Sequence, residues 1–391
     1  MTYQFDEQFE RKGTLSLKWD QAESLFGNAD VLPLWVADMD FQCPPAVIET
    51  VKRRAELGMY GYTIRTTEYL DAITGWFSRR HNWTIKPEWL TDTPGVVPAL
   101  GIAIQVLSEP GDQVILQSPV YNPFYDVIRN NGRIIAENPL MLRNGRYEMD
   151  YEHLESLMRG GAKLLLLCSP HNPGGRVWDR EELERLGKLC EQYDVRVICD
   201  EIHCDLILAD KKHIPFSTVS KAIAERTITC LAPSKTFNMP GLHSSFTCIS
   251  NPEIKRLFDK QVQTLAVGGV SFFGPSATIA AYNESEEWLE ALLDYVRANM
   301  EYAVSFIKEQ LPMLDTIVSE GTYLLWVDCR KLGLDPDALK QFMYQEAKVA
   351  FNEGSLYGEQ GTGFLRINLA CPSALLSKAL DQFKDAIAQM I

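Results

Sequence analysis

The feature that most restricts this chain is a series of short apolar runs, each ending in a polar loop, with amphipathic stretches between them. Residues 113–117, 163–168, 195–199 and 227–231 are the clearest runs. Runs of that length, rich in Val, Ile and Leu, suit strands buried on both faces of a parallel sheet. The stretch 180–193 places Leu183, Leu186, Leu189 and Cys190 at helical spacing, with charges opposite. This alternation predicts an α/β domain on a mostly parallel central sheet. Further on, 284–310 reads as one long helix without Pro or Gly. Strand-like segments at 322–327 and 364–368 and a terminal helix from Ser373 follow. That second pattern predicts a smaller α+β domain, completed by the N-terminal residues. The expected division is 46–283 for the large domain, with 1–45 and 284–391 forming the small one.

A chain of 391 residues is long enough for two or three domains with a large core. It carries 52 Asp and Glu against 38 Lys and Arg, a formal charge of −14. Binding nucleic acid or an anionic membrane needs clustered cations, so neither partner is expected. The nine cysteines are an odd count, and none are paired as Cys-x-x-Cys. Several, such as Cys168 and Cys199, sit inside apolar runs, where a free thiol acts as a small hydrophobe. No metal and no disulfide framework is expected, and a reducing, cytoplasmic setting is predicted. The first twenty residues carry charges throughout and lack the apolar core of a signal peptide. The apolar run near 164–168 is far short of the ~20 residues that span a bilayer.

Common catalytic signatures are missing. There is no Gly-x-Ser-x-Gly, no P-loop, no His-Glu-x-x-His and no Gly-x-Gly-x-x-Gly after a strand. What remains is polar residues at the ends of apolar runs, where open α/β sheets collect ligands. One run ends in Asp200-Glu-Ile-His203. A second leads into Ser169-Pro-His-Asn172-Pro-Gly-Gly175. A third leads into Ala232-Pro-Ser234-Lys235-Thr-Phe-Asn238. Each alone has an ordinary reading: Asp200 as a turn cap, His203 as a loop histidine, Asn172-Pro173 as turn chemistry, Lys235 as a solvated charge. Asn, then Asp-x-x-aromatic, then Ser-Lys, each after a strand, is far more specific than any one part.

On these residues the sequence resembles the fold-type I pyridoxal-phosphate enzymes, the aspartate aminotransferase superfamily of classes I and II. It looks most like the cystathionine β-lyase or C–S lyase branch. Five further motifs carry the resemblance: Leu34-Trp-Val-Ala-Asp38-Met-Asp40-Phe, Tyr60-Gly-Tyr62-Thr, Pro94-Gly-Val-Val-Pro-Ala99, Ser118-Pro-Val-Tyr121 and Phe364-Leu-Arg366-Ile-Asn368. Together the motifs run in family order from residue 34 to 368.

The resemblance implies a PLP-dependent transferase-like fold and the cofactor pyridoxal 5'-phosphate. Lys235 would bind the cofactor aldehyde and then take the substrate Cα proton, a task suited to an amine of lowered pKa. Asp200 would face the pyridine nitrogen, and Asn172 and His203 the phenolic oxygen. Tyr121 would stack on the ring and, with Lys235, serve as a proton donor to departing sulfur. Val97 and Ala99 would offer backbone N–H groups to the phosphate from a helix start expected just before Leu100. Ser234 would add a hydroxyl there. Tyr62, with Tyr60 as the alternative, would reach the phosphate of a partner subunit, implying a homodimer with shared sites. Arg366 would fork the substrate α-carboxylate beside Ala37.

Two departures stand out. Eight residues after Lys235, where many relatives place a phosphate-binding Arg, stands His243. Three residues before it stands Ala232, where many have Ser. The reading that follows is a C–S lyase acting on cystathionine, cysteine or related S-substituted cysteines. An aminotransferase is the alternative, and a regulatory interaction protein on the same fold a further one. A dicarboxylate aminotransferase needs a second cation for its substrate, and Arg65 is the nearby candidate.

Overall fold

The computed structural model describes residues 3–390. The central sheet has seven strands: β1 (Leu90–Thr93), β2 (Gln113–Leu116), β3 (Ile134–Glu137), β4 (Leu164–Cys168), β5 (Arg196–Asp200), β6 (Thr227–Leu231) and β7 (Ser245–Cys248). Their spatial order is β1-β7-β6-β5-β4-β2-β3. The pairs from β6 to β3 are parallel, and β7 alone runs antiparallel to its neighbours. Every residue of β4 and β6 is buried, as the unbroken apolar sequence of β4 predicts and as Thr227 and Thr229 of β6 tolerate. The boundaries differ from the sequence expectation by about one residue, because polar ends such as Asp200 still pair in the ladder.

Helices cover both faces. Val96–Leu107 lies on one, its Leu100, Ala103 and Ile104 packed with Ile128, Ile198 and Phe258. Arg180–Gln192 lies on the other, its Leu183, Leu186 and Cys190 packed with Leu165 and Val197. Each of the leucine, isoleucine, valine and phenylalanine side chains among them, fully buried, contributes about 1.5–3 kcal/mol. The latter helix starts on a capping box between Asp179 and Glu182, legible in the sequence as Asp-x-x-Glu.

A second, antiparallel sheet holds β8 (Asp315–Ile317), β9 (Leu324–Asp328), β10 (Asn352–Glu353) and β11 (Phe364–Asn368), in the order β8-β9-β11-β10. The helices Glu286–Gln310 and Ser373–Met390 share a core with it. The single helix expected over 284–310 is Glu286–Gln310, and a separate helix precedes it. Gly274–Glu284 ends first, and Glu286–Gln310 begins after Ser285. Ser285 is buried and its Oγ donates back to Ala280 O at 3.1 Å, while Glu286 and Glu287 favour a fresh N-terminus.

The N-terminal segment belongs with this second sheet. Leu32–Pro33 pairs in parallel with Val349–Ala350. Asn368 N–H then donates to Leu34 O at 2.9 Å, and Asp40 N–H to Ala370 O at 2.9 Å. Residues 32–40 are thereby laid as a strap between the two sheets.

A second junction lies at Gly175. Its carbonyl accepts from the N–H groups of Glu320 at 2.8 Å and Gly321 at 3.0 Å, and its φ of +65° lies in the left-handed region. A Cβ there would overlap Ser319. Gly175→Ala should therefore lower the thermal midpoint by several degrees through both strain and overlap. A differential scanning calorimetry trace superimposable on that of the parent would contradict this close approach.

Candidate active site

A cavity of about 460 Å³ opens at the C-terminal ends of β4, β5 and β6, beneath the strap and β11. Lys235, Asp200, Asn172, His203, Tyr121, Ser234, Val97, Arg366 and Ala37 all line it. So do Ala232 and His243.

Asp200 closes β5. Its register partners are Cys168 on one side and Cys230 on the other. Thiols are weak donors, so the carboxylate is flanked by groups that solvate charge poorly. Burial pushes the carboxyl up to about 7, opposed by the Ile202 N–H, which donates to Oδ1 at 3.0 Å, and by the charge of Lys235. His203 is buried, and its Nδ1 has no partner. Burial, with the cations Lys235 and Arg366 nearby, holds its imidazole down at about 3, so it is neutral.

Lys235 follows β6 in a tight turn, with Phe237 N–H donating to Pro233 O at 3.0 Å. Asn238 takes a left-handed φ of +53°, which Asn tolerates better than most residues. Its Nδ2 donates to Met39 O at 3.1 Å and Phe41 O at 2.7 Å, joining the lysine turn to the strap. Thr236 Oγ1 donates to buried Asp205 at 2.8 Å. Lys235 Nζ donates to Ala37 O at 2.5 Å, an oxygen that also accepts from Tyr323 at 2.9 Å. Burial lowers the ammonium to about 8, with Arg366 acting in the same direction and Asp38 and Asp200 against. An amine in that range loses its proton readily near neutral pH.

Arg366 stands in the middle of β11 and is 3% exposed. Nη1 donates to Asn172 Oδ1 at 3.0 Å and Nη2 to Trp35 O at 2.7 Å, while Nε is buried without a partner. Among the described residues no carboxylate pairs with it. A buried guanidinium held only by neutral acceptors calls for an anionic ligand. Tyr121 is fixed through its backbone, N–H donating to Asn172 O at 3.0 Å. Burial pushes its phenol up to about 12, so it keeps its proton.

At the far end stands the start of the Val96–Leu107 helix. Its N-cap is Gly95, with no side-chain cap, so the N–H groups of Val96 and Val97 remain for a ligand. Here the sequence expectation is corrected. The helix begins at Val96 rather than at Leu100, so Ala99 already bonds back to Gly95 O at 3.1 Å and is fully buried. Ala99 has no N–H to offer; Val96 takes its place and also lines the cavity.

Two other candidates lie elsewhere. Tyr62 is fully exposed and outside this cavity, and Tyr60 leans on Phe272 with its OH donating to Ala55 O at 2.9 Å. Arg65 is engaged with Asp92 at 2.6 Å and Leu90 O at 3.2 Å, so it supplies no second cation.

Sequence reading missed the supports of the strap. Lys18, 1% exposed, binds Asp40 at 2.6 Å, and Arg11 binds Asp38 at 2.9 Å and Asp40 at 2.7 Å. Against the effect of burial, Lys18, Trp19 and Arg11 hold the Asp40 carboxyl below its usual range. The acidic pair in Asp38-Met-Asp40 was visible, but nothing local marks Arg11 and Lys18 as its partners. Ser244 and Asn352 also line the cavity without any sequence signal, as do Trp35 and Ile202 from within motifs already noted.

This arrangement has close counterparts. The chain is 43% identical over 385 residues to the cystathionine beta-lyase PatB of Bacillus subtilis, covering 98% of this chain and 100% of that one. The crystal structure of cystalysin from Treponema denticola, which contains pyridoxal 5'-phosphate, superposes with a TM-score of 0.97 at 38% identity, over 100% of both chains. A pyridoxal-phosphate-bound C–S lyase from Staphylococcus hominis gives 0.92 at 30% identity, over 99% of this chain and 98% of that one. The family described as aminotransferase class I and II matches residues 29–383, and the chain belongs to it.

Proposed function

We propose that this protein is a pyridoxal-phosphate-dependent C–S lyase, converting cystathionine, cysteine or related S-substituted cysteines into a thiol, pyruvate and ammonia. The observation that carries the reading is the cavity's charge inventory. Arg366 offers one buried, acid-free guanidinium for an α-carboxylate opposite Lys235, and Arg65 is engaged elsewhere. A substrate with one carboxylate near its reacting carbon fits that inventory. The relatives' names point to the same chemistry.

The donor set fits pyridoxal 5'-phosphate. Asp200 is a carboxyl that burial keeps near 7 until a cation lies against it, which suits a protonated pyridine nitrogen. Neutral His203 and the Asn172 amide suit an oxygen anion, and Tyr121 has a ring to stack. Val96, Val97 and Ser234 offer N–H and O–H groups at the helix start. Bound there, the cofactor supplies an electron sink for the pair left at Cα.

The chain's own residues do the rest. Arg366 anchors the α-carboxylate, with Asn172 and Trp35 O fixing the plane of its fork. Lys235 Nζ, neutral in part near pH 8, accepts the Cα proton. The Cβ–S bond then breaks, and the sulfur leaves as thiolate. Lys235, now an ammonium, returns a proton to it, with the Tyr121 phenol as a second donor. Water completes the release of pyruvate and ammonia. Residues 46–283 hold the cofactor, and 1–45 with 284–391 carry the strap and Arg366.

Assembly as a homodimer with shared sites belongs to the same reading. Leu57, Met59, Tyr60, Tyr62 and Ile64 are all exposed within one short segment, which supports a covered interface. Tyr62 would reach the partner's phosphate site from there. No described helix is long and apolar enough to cross a membrane, and the working location proposed is the cytoplasm.

Three outcomes test this. Lys235→Ala should lower pyruvate formation by about 10³-fold or more, and borohydride should fix the cofactor only to the peptide holding Lys235. Labelling of another lysine would overturn the assignment. Mixed Tyr62→Phe and Lys235→Ala subunits should regain activity beyond either variant, one intact site per heterodimer. No gain after confirmed subunit exchange would argue against sharing. Finally, cystathionine should yield pyruvate well above the rate of amino transfer from aspartate. Serine should be poor, since hydroxide leaves far less readily than thiolate. Fast amino transfer without thiol release would establish the aminotransferase instead.

A further inference from the structure

A guanidinium recognises a carboxylate as a flat fork, and the fork is useful only while its plane is fixed. The arginine side chain is long and flexible, so its neighbours must do the fixing. For Arg366 two of them are the acceptors Asn172 Oδ1 and Trp35 O. A third is aromatic. The ring of Tyr357 lies against the guanidinium, its centroid 5.1 Å from Cζ, within the range of a cation–π contact. That ring is buried and meets Trp326 edge-on at 5.4 Å. Its backbone carbonyl accepts from Val120 N–H at 2.9 Å and from the Tyr125 hydroxyl at 3.0 Å.

One side chain joins the carbonyl to the ring. Asn352, on β10, stands directly across the ladder from Arg366, so the two side chains share a face of the sheet. It lines the cavity. Its Nδ2 donates to Trp35 O at 3.1 Å and to Tyr357 Oη at 2.9 Å. A carbonyl only accepts, which places the amide nitrogen on that side and commits both of its hydrogens. Among the described residues Tyr357 Oη has no other hydrogen-bond partner.

These contacts close on themselves. From Arg366 they pass to Asn172, whose backbone carbonyl accepts from Tyr121 N–H, then along the chain to Val120 and across to Tyr357. From the Tyr357 hydroxyl they return through Asn352 to Trp35 O and so to Arg366. The circuit draws on loops after β2 and β4, on the strap and on β10, so it ties the two sheets together around one side chain. Every acceptor in it is neutral.

We propose that Asn352 is a positioning residue for the carboxylate anchor: by holding Trp35 O and Tyr357 together it locks the plane of the Arg366 fork, and so sets the affinity of the site for any ligand with an α-carboxylate. The inference rests on Arg366 as the anchor in the reading above. Removal of the amide releases the Tyr357 hydroxyl and leaves Trp35 O with one donor. Arg366 then keeps its charge and loses its fixed plane.

The test takes the full-length holoenzyme of the parent, Asn352→Ala, Asn352→Asp and Tyr357→Phe, and titrates the visible absorbance of the cofactor with alanine and with ethylamine. Alanine has no group to expel, and ethylamine is alanine without its carboxylate, so comparing them isolates the anchor. Asn352→Ala should bind alanine roughly tenfold more weakly than the parent. Tyr357→Phe keeps the ring, loses the hydroxyl, and should bind it about threefold more weakly. Asn352→Asp has nearly the parent shape but sets a carboxylate beside Arg366, and should weaken alanine beyond the alanine variant. Ethylamine should bind all four alike. With S-methylcysteine the loss should fall on KM more than on kcat. Unchanged alanine affinity in Asn352→Ala and Asn352→Asp overturns the inference. So does an equal loss for ethylamine, the mark of a site loosened as a whole. A parent that binds alanine but releases no pyruvate from S-methylcysteine removes the lyase reading, while the alanine comparison still decides the role of Asn352.

Discussion

The site depends on one carbonyl. Ala37 O accepts from Lys235, on the large sheet, and from Tyr323, which leads into β9 of the second sheet. A lysine ammonium left alone in a buried cavity would either lose its proton or draw in water. Here a backbone oxygen orients it without adding a full negative charge, so burial still keeps it near 8. That requires the strap to be rigid. Its neighbour Asp38 is held by Arg11, Asp40 by Lys18 and Arg11, and both Val36 O and Asp38 O accept from Asn368, at 2.7 and 2.6 Å. Asn368 lies two residues beyond Arg366 on β11, so one strand places both the carboxylate anchor and the clamp on the lysine's acceptor.

Most buried charge elsewhere is paired, which is what makes the unpaired groups of the cavity informative. Asp200 and His203 face the cavity, while Glu201 and Asp205 point away and are fully engaged. Glu201 lies 2.9 Å from His213 Nε2 and accepts from Phe216 N–H at 2.8 Å. Asp205 lies 2.7 Å from His81 Nε2 and accepts from Trp76 at 3.1 Å and Thr236 at 2.8 Å. His81, Cys204 and Asp205 stand close enough to suggest ligation of a metal. With both carboxylate oxygens already occupied, the cluster instead acts as a brace that fixes Thr236 and so its neighbour Lys235. Breaking such a pair strands a charge, so each brace is costly to alter. Arg366 and Asp200 lack such partners and open onto the same cavity, whereas buried Arg133, held by Ser108 and Asn131 O, lies away from it.

Much of this was legible because catalytic groups sit where apolar strands stop, and apolar runs are visible in sequence. Asn172 and Lys235 each follow a fully buried strand, Asp200 ends one that is buried beyond Arg196, and Arg366 interrupts one. What was not legible depended on contacts between distant segments. The helix start was misplaced by four residues because Val96-Val97-Pro98-Ala99 carries no polar cap; the turn is set by Gly95 and left open for a ligand. Arg11 and Lys18 could not be matched to Asp38 and Asp40, since nothing in local pattern pairs positions twenty or more residues apart. Arg65 looked available because Asp92, its partner, lies on a strand whose burial the sequence Leu-Thr-Asp-Thr does not advertise.

The thiols beneath the site add a last step. Cys168 and Cys230 flank Asp200 across the ladder, and Cys199 stands just before it. Serines at those register positions would donate to the carboxylate and stabilise its charge from within the protein. Cysteines fill nearly the same space and donate weakly, so the charge of Asp200 is left to be stabilised from the cavity side. The carboxylate then gains most from a cation placed against it, and that dependence couples the ionisation of Asp200 to occupancy of the site. The same logic governs Arg366, whose neutral acceptors orient the fork without satisfying its charge. Both groups are folded into place by the protein and completed only by what binds between them.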